Sequence, residues 1–169
     1  MISKKIVLIG DFSTGKTSLI RRFVDNQFSD TYLSTIGVKI SRKNILINES
    51  EIQGLIWDIE GGTPMKPINR SYLLGAHGCI IVADVTRSQT LESLQHYIEV
   101  MQQGSSPIPI VIALNKCDLM ESASAEEIAV HIKKEYNKIE GLYLTSAKDG
   151  TGVELMFELL ARVMLGEGE

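Results

Sequence analysis

The chain has 169 residues, 44% of them hydrophobic, and a formal net charge of −4. A chain of this length buries one substantial core, so one domain spanning 1–169 is expected, and no apolar run nears the ~18 residues of a membrane helix. The charge is mild and unclustered, which excludes nucleic-acid backbone binding as the main task, and two isolated cysteines, Cys79 and Cys117, make neither a disulfide framework nor a metal site.

The start, Met1-Ile2-Ser3-Lys4-Lys5, leads into a strand-like run rather than a signal sequence, so a cytoplasmic monomer with reduced cysteines is expected. The run Ile6-Val7-Leu8-Ile9 then meets Gly10-Asp11-Phe12-Ser13-Thr14-Gly15-Lys16-Thr17, which fits G-x-x-x-x-G-K-[ST], and the next seven residues have helical patterning. Strand, loop and helix in that order are what a P-loop needs. Main-chain N–H groups wrap a phosphate only where glycine permits a close, tightly turned approach, and the helix that follows adds its positive N-terminus. The candidate nucleotide contacts here are Gly10, Phe12, Ser13, Thr14, Gly15, Lys16, Thr17 and Ser18. Lys16 is expected to reach the β- and γ-phosphates, and the Thr17 hydroxyl to ligate Mg²⁺.

Short apolar runs alternate with helical patterns along the rest of the chain. Strands are expected at 5–10, 37–48, 51–58, 79–84, 108–115 and 142–145, with helices up to about Asn26 and at 90–103, 124–137 and 153–165. This predicts an α/β P-loop NTPase fold, a six-stranded, mostly parallel sheet with helices on both faces. The connection Asn48-Glu49-Ser50 is too short for a parallel crossover, so one edge strand should run antiparallel. Ligands in such sheets collect beyond the carboxyl ends of the strands, where the loops at 10–17, 58–63, 115–118 and 145–148 should converge.

With Asn115-Lys116-Cys117-Asp118 directly after the fifth strand, the chain resembles the Ras superfamily of small GTPases, which read guanine with N-K-x-D. A carboxylate such as Asp118 can accept from two N–H donors on one edge of guanine, whereas adenine would leave it unpaired. The resemblance covers nearly the whole chain and is closest to the Rab branch. It implies that Ser146, Ala147 and Lys148 support the base, with Phe28 packed against it. It likewise implies that 31–37 is switch I, with Tyr32 at the nucleotide and Thr35 completing the Mg²⁺ shell begun by Thr17, while Asp58 holds the ion through water. Gly61 ends D-x-x-G with its N–H available to the γ-phosphate. By the same resemblance Ile40, Trp57 and Tyr72 face a GTP-state effector, and an exchange factor or a GTPase-activating protein would drive the cycle. His77 reads as a structural residue where a strand begins.

Three residues depart from the family. Gly62 stands where a glutamine normally orients the attacking water, and loss of one positioned catalytic hydrogen-bonding group costs about 10²–10³ in rate. Phe12 replaces a small residue and is expected to crowd the water-positioning loop. Glu60 also replaces a small residue; it could act as a substitute base, repel the triphosphate or point to solvent. Pro64 and Pro67 restrict the loop and should delay the next helix to about Pro67.

No cysteine follows Cys117, and Ile2 excludes an N-myristoyl site, so either a lipidated tail lies outside this sequence or the protein is soluble. Two functions stay open: a GTP/GDP switch with Mg²⁺ in which Lys16 and Thr35 support slow hydrolysis, and an essentially non-hydrolysing GTP-bound scaffold. A P-loop phosphotransferase is disfavoured by N-K-x-D together with Ser146-Ala147-Lys148.

Overall fold

The computed structural model describes residues 1–30, 35–104 and 107–167. Tyr32, with the neighbouring part of the expected switch I, lies outside them. Six strands, β1 (Ile2–Gly10), β2 (Val38–Ile47), β3 (Ser50–Ile59), β4 (Gly78–Asp84), β5 (Ile110–Asn115) and β6 (Gly141–Leu144), form one sheet in the order β2-β3-β1-β4-β5-β6. All neighbours are parallel except β2 and β3, which pair antiparallel from Val38↔Ile59 to Ile47↔Ser50. Two residues join that hairpin, and Asn48 takes the left-handed conformation (φ 52°) that Asn tolerates better than most side chains.

Alternation along the strands sends successive side chains to opposite faces, so each face carries its own core. Ile6, Leu8, Ile56 and Val82 pack with α1 (Lys16–Asp25) and α5 (Val153–Met164), where the buried rings of Phe23 and Phe157 stack at 3.9 Å. Val7, Ile9, Ile81 and Ile112 pack with α3 (Leu94–Gln102) and α4 (Ser122–Glu135).

Two segments differ from expectation. The helix predicted over 90–103 is divided at the single residue Ser93 into α2 (Ser88–Glu92) and α3; Ser93 keeps right-handed helical backbone angles, its N–H donates to the Gln89 carbonyl and its carbonyl accepts from the Tyr97 N–H, so the two run on as one nearly continuous helix. No α-helix begins at Pro67. Thr63 and Lys66 pair across a tight turn holding Pro64, and one 3₁₀ turn follows at Arg70–Leu73, capped by the Asn69 side chain on the Ser71 N–H. Proline supplies no N–H and fixes φ, so two of them in four residues leave no room for a regular first turn. His77 is structural: its Nδ1 accepts from the Lys5 N–H at 2.8 Å, and its own N–H donates to the Lys5 carbonyl. Cys79 is buried in β4 and Cys117 half-buried, both as free thiols.

Candidate functional site

The loops beyond the carboxyl ends of β1, β3, β5 and β6 are bonded to one another. The Asn115 side-chain amide donates to the Thr14 carbonyl at 3.0 Å, and Lys116 Nζ to the Ser13 carbonyl at 3.0 Å. Gly62 N–H donates to the Gly10 carbonyl and Cys117 N–H to the Thr145 carbonyl. Gly15 is required where these loops meet, since its φ of 96° is left-handed and a Cβ there would lie 2.3 Å from Asn115 Nδ2.

A pocket of about 300 Å³ opens between the 10–17 loop and the other loops. Phe28, Asn115, Lys116, Asp118, Ala147 and Lys148, all singled out from the sequence, line it together with Ser13, Gly15 and Ser18. The Asp118 carboxylate is aimed by the Ser146 hydroxyl, which donates to Oδ1 at 2.8 Å while accepting from the Asp149 N–H. A carboxylate held by one oxygen beside an exposed cavity keeps its remaining lone pairs for a donor pair of fixed spacing.

Next to this pocket Lys16 is 6% exposed, with Nζ on the Asp11 carbonyl at 2.9 Å. Burial pulls its pKa down to about 8, against the opposing charges of Asp58 and Asp11. α1 starts at Lys16, so the first N–H groups of the helix have no intrahelical partner. Ammonium and free N–H groups together make this end of the loop a place for an anion.

Thr17, Thr35 and Asp58 converge from α1, the chain before β2, and β3. The Thr17 hydroxyl is 2.6 Å from that of Thr35 and 2.5 Å from Asp58 Oδ2, and the Thr35 hydroxyl is 3.2 Å from the same carboxylate oxygen. Burial raises the Asp58 carboxyl above its usual range, partly offset by Thr17, Lys16 and Thr35. Its other oxygen, Oδ1, is buried without a hydrogen-bond partner among the described residues. A hard cation suits such a set of oxygens, because it supplies the positive charge that this buried atom lacks.

The residues just after β3 depart from a simple open loop. Gly61 packs against the 10–17 loop so closely that a Cβ would be 2.6 Å from Phe12 Cα, and the Phe12 N–H donates to the Gly62 carbonyl at 3.0 Å. The Phe12 ring is 43% exposed. Glu60 binds Lys66 Nζ at 3.1 Å and accepts from the Gly37 N–H at 3.3 Å, and these two partners hold its carboxyl below the usual range. Of the three apolar positions expected toward an effector, Ile40 is exposed, whereas Trp57 and Tyr72 are partly buried, with the Lys5 ammonium 3.6 Å above the Trp57 ring.

Several contacts that hold the site together carry no sequence signal. Arg22 of α1 donates from Nε to the Ala147 carbonyl at 2.8 Å and from Nη2 to the Lys148 carbonyl, tying α1 to the loop after β6. Asp84 pairs with Lys116 at 3.0 Å, and Arg87 bonds the Phe12 and Ser13 carbonyls. Asp11 itself is held by Ser93 and Tyr97. Each of these contacts joins residues at least 32 positions apart, beyond the reach of any local motif.

A six-stranded sheet with one antiparallel edge strand, a phosphate-type loop after β1 and N-K-x-D after β5 defines the class of P-loop GTPases. A family model described as the Ras family matches residues 5–166. Among curated proteins, the chain is 34% identical to Ras-related protein RABA5c of Arabidopsis thaliana over 94% of this chain and 74% of that protein. It is 34% identical to Ras-related protein Rab-19 of Homo sapiens over 95% and 75%, and 37% identical to Ras-related protein Rab-1C of Dictyostelium discoideum over 93% and 78%. The chain belongs to the Ras family and is a Rab-like, GTP-binding small GTPase. Among the described residues no helix is long and apolar enough to cross a membrane.

Proposed function

We propose that this protein is a Mg²⁺-dependent guanine-nucleotide switch with very slow intrinsic GTP hydrolysis. The observation that carries the reading is the convergence of Thr17 and Thr35 hydroxyls on Asp58, whose second oxygen is buried and unpartnered. That arrangement supports Mg²⁺ held by these three residues, where it would supply a Lewis-acid charge next to the phosphates. Lys16 and the N-terminus of α1 bind the phosphate oxygens. Asp118, oriented by Ser146, takes the guanine edge while Phe28 and the Lys148 stem cover the ring. Because Thr35 lies in switch I and Gly61 in the D-x-x-G loop after β3, which serves as the second switch, loss of the γ-phosphate releases both segments and changes the surface offered to an effector near Ile40, Trp57 and Tyr72.

Slow hydrolysis follows from Gly62, which has no side chain to place the attacking water. Glu60 is a poor substitute base, since Lys66 and the Gly37 N–H engage its carboxylate. A second reading, a scaffold that stays GTP-bound, is favoured by the two backbone bonds that pin Gly62 to the 10–17 loop. The test is single-turnover hydrolysis of GTP in Mg²⁺ with the purified protein. A rate at least about 10²-fold below that of an ordinary small GTPase is expected, and a detectable rate separates the switch from the scaffold. Turnover as fast as a glutamine-bearing relative would overturn both readings.

A further inference from the structure

Gly62 does not occupy a left-handed backbone conformation, so its φ would accept any L-residue. What excludes a side chain there is space: a Cβ would lie 2.5 Å from the Tyr97 hydroxyl oxygen and 3.5 Å from Cζ of the same ring. That hydroxyl cannot simply step aside, because it donates to Asp11 Oδ1 at 2.6 Å and the ring is 5% exposed in the core beneath α3. Ser93 donates to the other oxygen, Asp11 Oδ2, also at 2.6 Å. Burial, reinforced by the Asp11 carboxylate, pushes the Tyr97 phenol far above its usual range, which keeps it a donor.

Asp11 is central to the loop it belongs to. Its carbonyl accepts from Lys16 Nζ and from the Thr14 hydroxyl, and its backbone bridges to Gly62. Asp11 therefore ties the phosphate-binding lysine and Gly62, through its backbone, to α3 and Ser93, through its carboxylate.

We infer that Tyr97 is a positioning residue that latches the phosphate loop to α3 through Asp11 and, with the same hydroxyl, keeps position 62 clear of any side chain. The inference rests on the proposed role of the loop in binding phosphate. It makes Gly62 a consequence of the latch: a glutamine at 62 has to displace the Tyr97 hydroxyl, and the loop then loses its anchor.

The test is a double-mutant cycle on the GDP-loaded protein, comparing wild type, Gly62→Ala, Tyr97→Phe and the double variant. Phenylalanine keeps the ring in place and removes the colliding oxygen, leaving a 62 Cβ in ordinary contact with the ring. Gly62→Ala is expected to lower Tm by about 3–10 °C in the wild-type background and by less than about 2 °C in Tyr97→Phe. Tyr97→Phe is expected to speed release of fluorescent GDP by about 10-fold, with Ser93→Ala moving it the same way, since each removes a hydrogen bond to a charged group. A structural role of the ring alone would leave GDP release unmoved. Equal Tm losses in the two backgrounds, or unchanged GDP release in Tyr97→Phe, would overturn the latch. Single-turnover hydrolysis on the same wild-type protein decides the slow-hydrolysis reading separately, because the cycle's Tm values do not depend on turnover.

Discussion

Lys16 carries the most consequential charge in the site because it is nearly buried. The groups facing it are Asp58, Asp11 and Arg87, and with burial they set its pKa at about 8, below the ordinary 10.5. An unfolded chain holds that proton up to about pH 10.5 whereas the folded one releases it near 8. Between those values the unfolded state binds more protons, so this group makes the nucleotide-free protein more stable as pH rises through the window. Nucleotide affinity runs the other way, since a bound phosphate needs the ammonium. Calorimetry near pH 8.5 in buffers of different ionisation enthalpy should detect uptake of up to one proton per GDP bound; no uptake would contradict the assignment. At the base, Asp118→Asn should weaken GDP binding by about 10²-fold or more, because a carboxamide cannot accept from both guanine donors. Ser146→Ala, which only frees the carboxylate to rotate, should cost about 10-fold by the same titration.

Among the elements, the stretch after β3 is the least regular, and its two prolines explain why. The Thr63–Lys66 turn and the single 3₁₀ turn at Arg70–Leu73 replace the expected helix. Glu60 joins this stretch to the start of β2 through Lys66 and the Gly37 N–H. The Lys66 end is solvent-exposed, so its ion pair adds little to global stability. Glu60→Ala should therefore leave Tm nearly unchanged while hydrogen exchange at Gly37 speeds up. Its GTP hydrolysis should stay within about three-fold of wild type, whereas a general base typically contributes 10²–10⁴-fold. A loss of that size would restore Glu60 as the substitute base.

Across the whole molecule, stability comes from two cores, one on each face of the sheet, and the Phe23–Phe157 stack sits in the one under α1 and α5. Phe157 is fully buried, and Phe157→Ala should cost about 3–5 kcal/mol in denaturant unfolding. Gly78 and Gly141 lie against Leu160 and Leu159 of the same helix, so α5 approaches the sheet too closely to slide into the space left. Since α1 also carries Lys16 and Thr17, GDP affinity should fall with stability in this variant.

Much of this architecture was legible along the chain because its signals are local. The strands show as short apolar runs, the hairpin as a connection too short to cross over, and the two nucleotide motifs as contiguous residues whose chemistry needs that spacing. Sequence alone also marked Gly62 as a missing side chain. Tertiary structure decided why it is missing: the Tyr97 hydroxyl that fills the space bonds a residue 86 positions earlier, and no local pattern announces such a pair. The Ser93 hydroxyl likewise donates to Asp11, 82 positions away. Arg22 reaches the Ala147 carbonyl across 125 positions. Local periodicity specifies which segments become strands and helices; only the packed fold specifies which side chains meet, because those contacts depend on three-dimensional approach and not on spacing along the chain.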